Sequence, residues 1–287
     1  MPRPWLQVWR RCVDTARTFG GKLFKLHEHI ERLYRSLRYV GIDPGLSAAD
    51  MSAITEQVVE RNRHLLSADE DYWVTQRISR GIDRVAGESW PSDGPTVIIE
   101  CTPLPLRARA ALFRDGIDIV TPAIRRVPPD CLSPNVKSHN YLNLVVADLE
   151  VRSRIPEGWA ILLDTRGFLC EGLGSNVFLV KQGALYTPKA QYVLDGVSRQ
   201  TVMELAKELS IPTQEADLTL YDAYTADEAF ITSTSLCLCP VRSCNAKPVG
   251  TGHPPGLLTQ RLMERYTRLV DFDFVQQYLR HLPAAVG

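Results

Sequence analysis

WAILLDTRGFLCEGLGSNVFLVKQGALYT, residues 159–187, decides the reading of the fold. Four short aliphatic runs, 159–164, 167–171, 176–180 and 184–187, are separated by Thr-Arg, Gly-Leu-Gly-Ser and Lys-Gln-Gly, residues that favour tight turns. Connections this short join antiparallel neighbours, because a parallel crossover needs a dozen or more residues. Working outward toward the C-terminus, a helix opens near Ser198 and runs to about Leu209, and strand 229–233 (AFITS) follows. A helix near 257–270 and a weaker one near 272–281 complete this part. Short hairpin-like strands without a regular βαβ series argue for an α+β fold over a doubly wound sheet.

Toward the N-terminus, a helix is expected at about 139–153, with Leu142, Val145, Val146 and Leu149 on one side. Residues 121–134 (TPAIRRVPPDCLSP) hold four prolines and no period, and read as the crossing between two domains. The expected division is a smaller domain over 1–120 and a larger one over 135–287. In the smaller domain, KLFKLHEHIERLYRSLRYV at 22–40 sets Leu26, Ile30, Leu33, Leu37 and Val40 on one helical stripe. Gly41 and Pro44 end that helix. A second helix spans about 48–65, strands are expected at 72–79 and 95–101, and 80–95 is a long connection.

Composition narrows the function. The chain of 287 residues carries 33 basic and 33 acidic side chains, so no net field favours nucleic acid or an anionic membrane. No apolar run approaches the ~18 residues of a membrane span. The start has no apolar segment of secretory type, which points to the cytoplasm. Cys237, Cys239 and Cys244 lie in an apolar strand-like context without a partner C-x-x-C or His pair, so they read as buried thiols and no metal is expected.

Four residue types carry candidate chemistry. There are seven lysines against 26 arginines, and Lys137 stands alone between Lys25 and Lys181. A chain that meets most needs for a cation with Arg keeps Lys where a primary amine is required, since guanidinium stays protonated. A solvated surface lysine is the plainer alternative. Gly196-Val197-Ser198 opens a helix, where free N–H groups and a hydroxyl make an anion seat; Ser198 as a simple N-cap is the alternative. Glu171 lies in FLCEGLGSNVF, where two glycines permit a tight bend that sends its carboxylate into a cleft, or leaves it solvated in a hairpin. Arg32 is suited to a phosphate, or to pairing with Glu28 one turn away.

Taken in order, these features resemble a known family. FKLHEHIERL at 24–33, VKSHNYLN at 136–143, CEGLGSNVFLV at 170–180 and LDGVSRQTV at 194–202, with ITSTS before Pro240-Val241, resemble the class IV aminotransferases. That is the fold type IV group of pyridoxal-phosphate enzymes, and the resemblance runs from about Thr15 to residue 270. It implies a two-domain fold, with a smaller N-terminal α/β domain, a larger C-terminal domain of packed sheets with helices, and pyridoxal 5′-phosphate in the interdomain cleft. It implies that Lys137 forms the cofactor aldimine and shuttles a proton between the substrate α-carbon and cofactor C4′. Tyr141, four residues on along the same helical face, would bond the phenolic oxygen, Glu171 the pyridine nitrogen, and Leu194 would pack on the ring. Arg32, Val197, Ser198 and Thr234 would hold the phosphate. The implied reaction moves an amino group from an amino acid, by default branched-chain, to a 2-oxo acid, and the implied assembly is a homodimer.

Within the family, an aminodeoxychorismate lyase-like or (R)-amine transaminase activity is the alternative, and CEGLGSNVF favours the transaminases. Arg84 lies near the Arg-x-His trap of D-amino acid enzymes, but no His follows it. DTARTFGG at 14–21 matches the tail of the family's N-terminal stretch, whereas MPRPWLQVWRRCV does not match its beginning. The start therefore reads as truncated or divergent, with a sheet edge expected to be exposed and a catalytically impaired relative as a further alternative.

Overall fold

The computed structural model describes residues 11–81 and 94–283, which divide into two compact units. The first holds 11–104 together with Val136–Asn140; the second holds Pro105–Asn135 and the chain from Tyr141 onward. The expected boundary at 120 is therefore moved, and 135 is not the start of the second unit.

The first unit is a four-stranded antiparallel sheet with two helices. Its elements are β1 (Arg11–Phe19), β2 (Lys22–Leu23), α1 (Leu26–Val40), α2 (Ala48–Asn62, followed by one 3-10 turn), β3 (Tyr72–Ser79) and β4 (Thr96–Pro103), with strand order β2-β1-β3-β4. The stripe Leu26, Ile30, Leu33 and Leu37 is buried against Cys12, Ala16, Ile78 and Met51, as the helical spacing predicts. Gly41 ends α1 in the left-handed region at φ 65°, open to glycine at little steric cost.

β1 was not expected as a strand. RCVDTARTF does not alternate, because its charged residues are buried by pairing and not exposed: Asp14 and Arg17 are both inside. It pairs with β3 over Arg11–Arg17, but with β2 only at Thr18 and Phe19. The other edge near its start is taken by residues 137–139. Val13 N–H donates to the Lys137 carbonyl (3.0 Å) and His139 N–H to that of Arg11 (3.0 Å), around a Cys12–Ser138 bridge. The edge expected to lie open is thus paired here, and these bonds are why 136–140 joins the first unit.

The second unit contains α3 (Leu106–Asp115), β5 (Ile117–Val120), α4 (Leu142–Arg154), β6 (Trp159–Leu163), β7 (Leu169–Gly172), β8 (Ser175–Lys181), β9 (Ala184–Pro188) and α5 (Val197–Glu208). It continues through β10 (Thr213–Ala216), α6 (Leu220–Tyr224), β11 (Glu228–Ser233), β12 (Cys237–Cys244), β13 (Lys247–Pro248), α7 (Leu257–Val270) and α8 (Phe274–Leu279). The main sheet runs β10-β9-β8-β11-β12-β5-β6-β7, and β7 also pairs with β8, so six of its strands close on themselves. The pairings among β6, β7, β8 and β9 are the antiparallel hairpins expected from 159–187. Residues 105–120 belong here because β5 lies parallel to both β6 and β12, and Phe113 of α3 stacks on Tyr278 of α8 at 4.5 Å. Cys237, Cys239 and Cys244 are buried in β12, and burial pushes the Cys244 thiol up to about 11.

α4 turns the expected apolar side outward. Leu142 and Leu149 are 69% and 61% exposed and Val145 and Val146 about two-fifths, while Leu144, Ala147 and Val151 face the core. Among the described residues no helix is long and apolar enough to cross a membrane.

Asp71 fastens the turn between β1 and β2. Fully buried, it accepts from Thr18 Oγ1 (2.6 Å) and from the N–H groups of Gly20 (3.2 Å) and Gly21 (3.0 Å). Asp71→Asn places amide hydrogens against donors, so it is expected to destabilise the protein by about 3 kcal/mol. The midpoint of urea unfolding followed by circular dichroism checks this, and an unshifted midpoint would remove Asp71 from that role.

Candidate active site

In the first unit Lys137 sits on the non-helical segment before α4. Its N–H donates to Ser36 Oγ (3.1 Å), and its carbonyl accepts from Val13. Both main-chain groups of Lys137 are thereby fixed, one by α1 and one by β1, which sets the direction in which its side chain leaves. Because α4 begins only at Leu142, Lys137 does not share a helical face with Tyr141, which instead precedes the helix as its N-cap residue. That corrects the expected relation, and the cause is the pairing of 137–139 with β1.

Arg32 does not pair with Glu28. It is 5% exposed and holds Asp14 in a fork, Nε to Oδ2 at 2.9 Å and Nη2 to Oδ1 at 2.8 Å. Burial pushes the Asp14 carboxyl up, but Arg32 and His29 outweigh it and hold the group well below the usual carboxylate range. His139, two residues from Lys137, is lowered to about 4 by burial and by the Arg77, Arg11 and Lys137 charges. It is therefore neutral near pH 7 and can accept from Arg77 Nη1 at 3.1 Å.

In the second unit Glu171 lies on β7, 4% exposed. Its Oε1 accepts from Arg126 Nε (2.9 Å) and its Oε2 from the Leu194 N–H (2.9 Å). Asn176, opposite Glu171 across the β7–β8 pair, donates from Nδ2 to the Leu194 carbonyl (2.9 Å). The two side chains of E-G-x-x-x-N thus grip both main-chain groups of Leu194 and seat the turn leading into α5. Gly172 and Gly196 make room for this: a Cβ on Gly172 would lie 2.5 Å from the Ala160 carbonyl, and one on Gly196 2.3 Å from Asn176 Oδ1.

Ser198 is not the N-cap of α5; Gly196 is, with no side-chain cap. Val197 and Ser198 fall in the buried first turn. α7 gives a measure of what such a start attracts. It too begins on a glycine without a side-chain cap, and there Glu228 accepts from the Leu258 and Thr259 N–H groups at 2.9 and 2.7 Å. Among the described residues no carboxylate fills the equivalent place at α5. Thr234 stands half-buried in the turn after β11, whose neighbour Ser235 is tied down from its carbonyl by Tyr278 (2.9 Å) and from its hydroxyl by Arg109.

These residues suit pyridoxal phosphate. The uncapped start of α5 suits a phosphate dianion. The buried Glu171 carboxylate suits a protonated ring nitrogen by its charge. Sequence reasoning missed Asp14, Ser36, Arg126 and Asn176. Asn176 was within reach through its fixed spacing from Glu171; Arg126 stood in a stretch read only as a crossing. Arg84 lies outside the described residues.

Comparison with known proteins follows the same line. A family model described as amino-transferase class IV matches residues 11–244. The chain is 36% identical over 255 residues to a "Putative branched-chain-amino-acid aminotransferase" of Methanocaldococcus jannaschii, covering 88% of this chain and 84% of that protein. It is 30% identical over 259 residues to the branched-chain-amino-acid aminotransferase of Escherichia coli K12, covering 89% and 81%. The crystal structure of a branched-chain aminotransferase from Thermoproteus uzoniensis with norvaline superposes with a TM-score of 0.78 at 27% identity, over 96% of this chain and 88% of that one. The chain belongs to the class IV aminotransferase family, whose members depend on pyridoxal phosphate.

Proposed function

We propose that this aminotransferase takes its amino group from branched-chain amino acids, passes it to a 2-oxo acid, and uses Lys137 as the lysine that holds the cofactor. The observation that carries the reading is the buried Glu171 carboxylate, gripped by Arg126 and Leu194 one turn before the uncapped start of α5. The branched-chain activities of the relatives support the donor, and leave the lyase and (R)-amine alternatives without comparable support.

Pyridoxal phosphate, when bound, supplies an aldehyde for a primary amine and a ring that draws electrons from the substrate α-carbon. Lys137 would provide that amine, which Arg cannot, and would serve as the base that moves the proton at the substrate α-carbon. Glu171 would keep the ring nitrogen protonated, Tyr141 would bond the phenolic oxygen, and Leu194 would pack against the ring. Arg32, the N–H groups of Val197 and Ser198, the Ser198 hydroxyl and Thr234 hold the phosphate, so binding energy remote from the reacting carbon orients it.

A homodimer completes the reading. The exposed Leu142, Val145, Val146 and Leu149 recur at one-turn spacing on α4, beside the Asp148–Arg152 and Glu150–Arg154 pairs. A second copy meeting this stripe across a two-fold axis would cover it with the same surface. The water-soluble amino and 2-oxo acids of the reaction support a cytoplasmic setting.

Lys137→Ala is expected to lower transamination by roughly a thousandfold or more while leaving the circular dichroism spectrum unchanged; wild-type turnover in that variant would end the assignment. Glu171→Gln should still take up the cofactor but release the α-proton of a deuterated donor more slowly, and an unaltered rate would return Glu171 to a structural role. Light scattering should give twice the chain mass for the wild type and a lower mass for Leu142→Asp/Leu149→Asp; a monomeric wild type would contradict the dimer.

A further inference from the structure

A loop that presents a group to a ligand binds more tightly when it is already held in the bound conformation. In the second unit, residues 234–236 join β11 to β12 and are closed by the Ser233–Cys237 pair. Cys237 takes a φ of 58°, left-handed backbone that side chains disfavour, so this turn gains from support outside itself. Thr232, two residues before Thr234, stands opposite Asn176 of β8. The Asn176 side chain grips the Leu194 carbonyl, two residues before the N-cap of α5. The turn therefore lies beside that helix start, and α5 packs on both β11 and β12.

Loop residues ordinarily face water, yet Ser235 is 3% exposed, and groups from two distant helices converge on it. Tyr278 of α8, fully buried, donates from its hydroxyl to the Ser235 carbonyl (2.9 Å). Arg109 of α3 donates from Nη1 to the Ser235 hydroxyl, which lies 3.4 Å from that of Ser233. A further side-chain hydrogen bond joins Arg109 to Tyr278, so the three residues close a triangle. The two helices are locked together by the Phe113–Tyr278 stack and by Phe274, whose ring meets Phe113 edge-on at 6.0 Å. A buried hydroxyl and a buried guanidinium are costly to place without partners, and both are directed at this one residue.

We propose that Tyr278 and Arg109 are positioning residues that clamp Ser235, so that the adjacent Thr234 meets the phosphate ester of the cofactor at a fixed angle. Through Ser235, α8 thereby belongs to the cofactor site. The inference rests on the phosphate role proposed for Thr234. Tyr278 supplies geometry alone, whereas Arg109 adds a buried positive charge whose field favours an anion over a neutral group. A clamp of purely structural value would support the fold whatever ligand bound. One that positions Thr234 shows its effect only on a ligand that carries a phosphate.

The test titrates the apoprotein with pyridoxal phosphate and, separately, with pyridoxal, which lacks the phosphate, following the absorbance of the bound chromophore. Tyr278→Phe keeps the ring and removes only the hydroxyl. It is expected to weaken pyridoxal phosphate binding about fivefold while pyridoxal changes by no more than about twofold. In a Thr234→Val background the same change should weaken binding less than about twofold, since it acts through Thr234. Unchanged binding of the phosphorylated cofactor, equal weakening of both compounds, or an undiminished loss in the Thr234→Val background overturns the proposal. If Tyr278→Phe does not fold, Arg109→Met carries the test, with the same selective loss expected and an equal loss overturning it. Thr234→Val that keeps the wild-type preference for the phosphorylated form removes the phosphate reading of Thr234, and the inference with it. The assignment of Lys137 would survive that result.

Discussion

The arrangement depends most on how β1 uses its second edge. A strand edge is a row of unsatisfied donors and acceptors, and β1 satisfies part of that row with the segment carrying Lys137. Ser36 of α1 takes the remaining main-chain donor of that lysine. A lysine on an unpaired segment would carry backbone freedom, which costs about 1–2 kcal/mol per residue to suppress when the residue must be placed. Here sheet pairing has already fixed the backbone. The same strand bears Asp14, so one element both anchors the amine and sets the geometry of Arg32.

The second unit solves a comparable problem with side chains. Glu171 and Asn176 face one another across a hairpin and hold the N–H and C=O of Leu194. A turn that needs glycine at 196, because Asn176 leaves no space for a Cβ, thereby becomes a fixed entrance to α5. The contrast between α5 and α7 is informative: two glycine-started helices in one unit, one closed by a carboxylate of the chain and one without a side-chain cap.

Much of this was legible in the sequence where local pattern and tertiary use agree. The α1 stripe, the hairpins of 159–187 and the glycine that ends α1 all follow from periodicity and turn chemistry. β1 did not, because its Asp and Arg are buried through partners distant in sequence, His29, Arg32 and Asp71, which no local pattern reveals. The apolar side of α4 was visible, but its direction was not, since spacing alone does not distinguish a side facing the core from one facing solvent. The candidate site was legible as four motifs. What tied them, Ser36 to Lys137 and Arg126 to Glu171, lay in contacts between segments that carry no joint signal.

The claim on which the account stands is that Lys137, among seven lysines, is the one that binds the cofactor covalently. Reduction of the cofactor-loaded protein with borohydride, followed by peptide mass mapping, tests it directly. The account predicts a single pyridoxyl group, on the peptide containing Lys137. A label on Lys181, Lys189 or any other lysine, or no label on a protein that has taken up the chromophore, would contradict it.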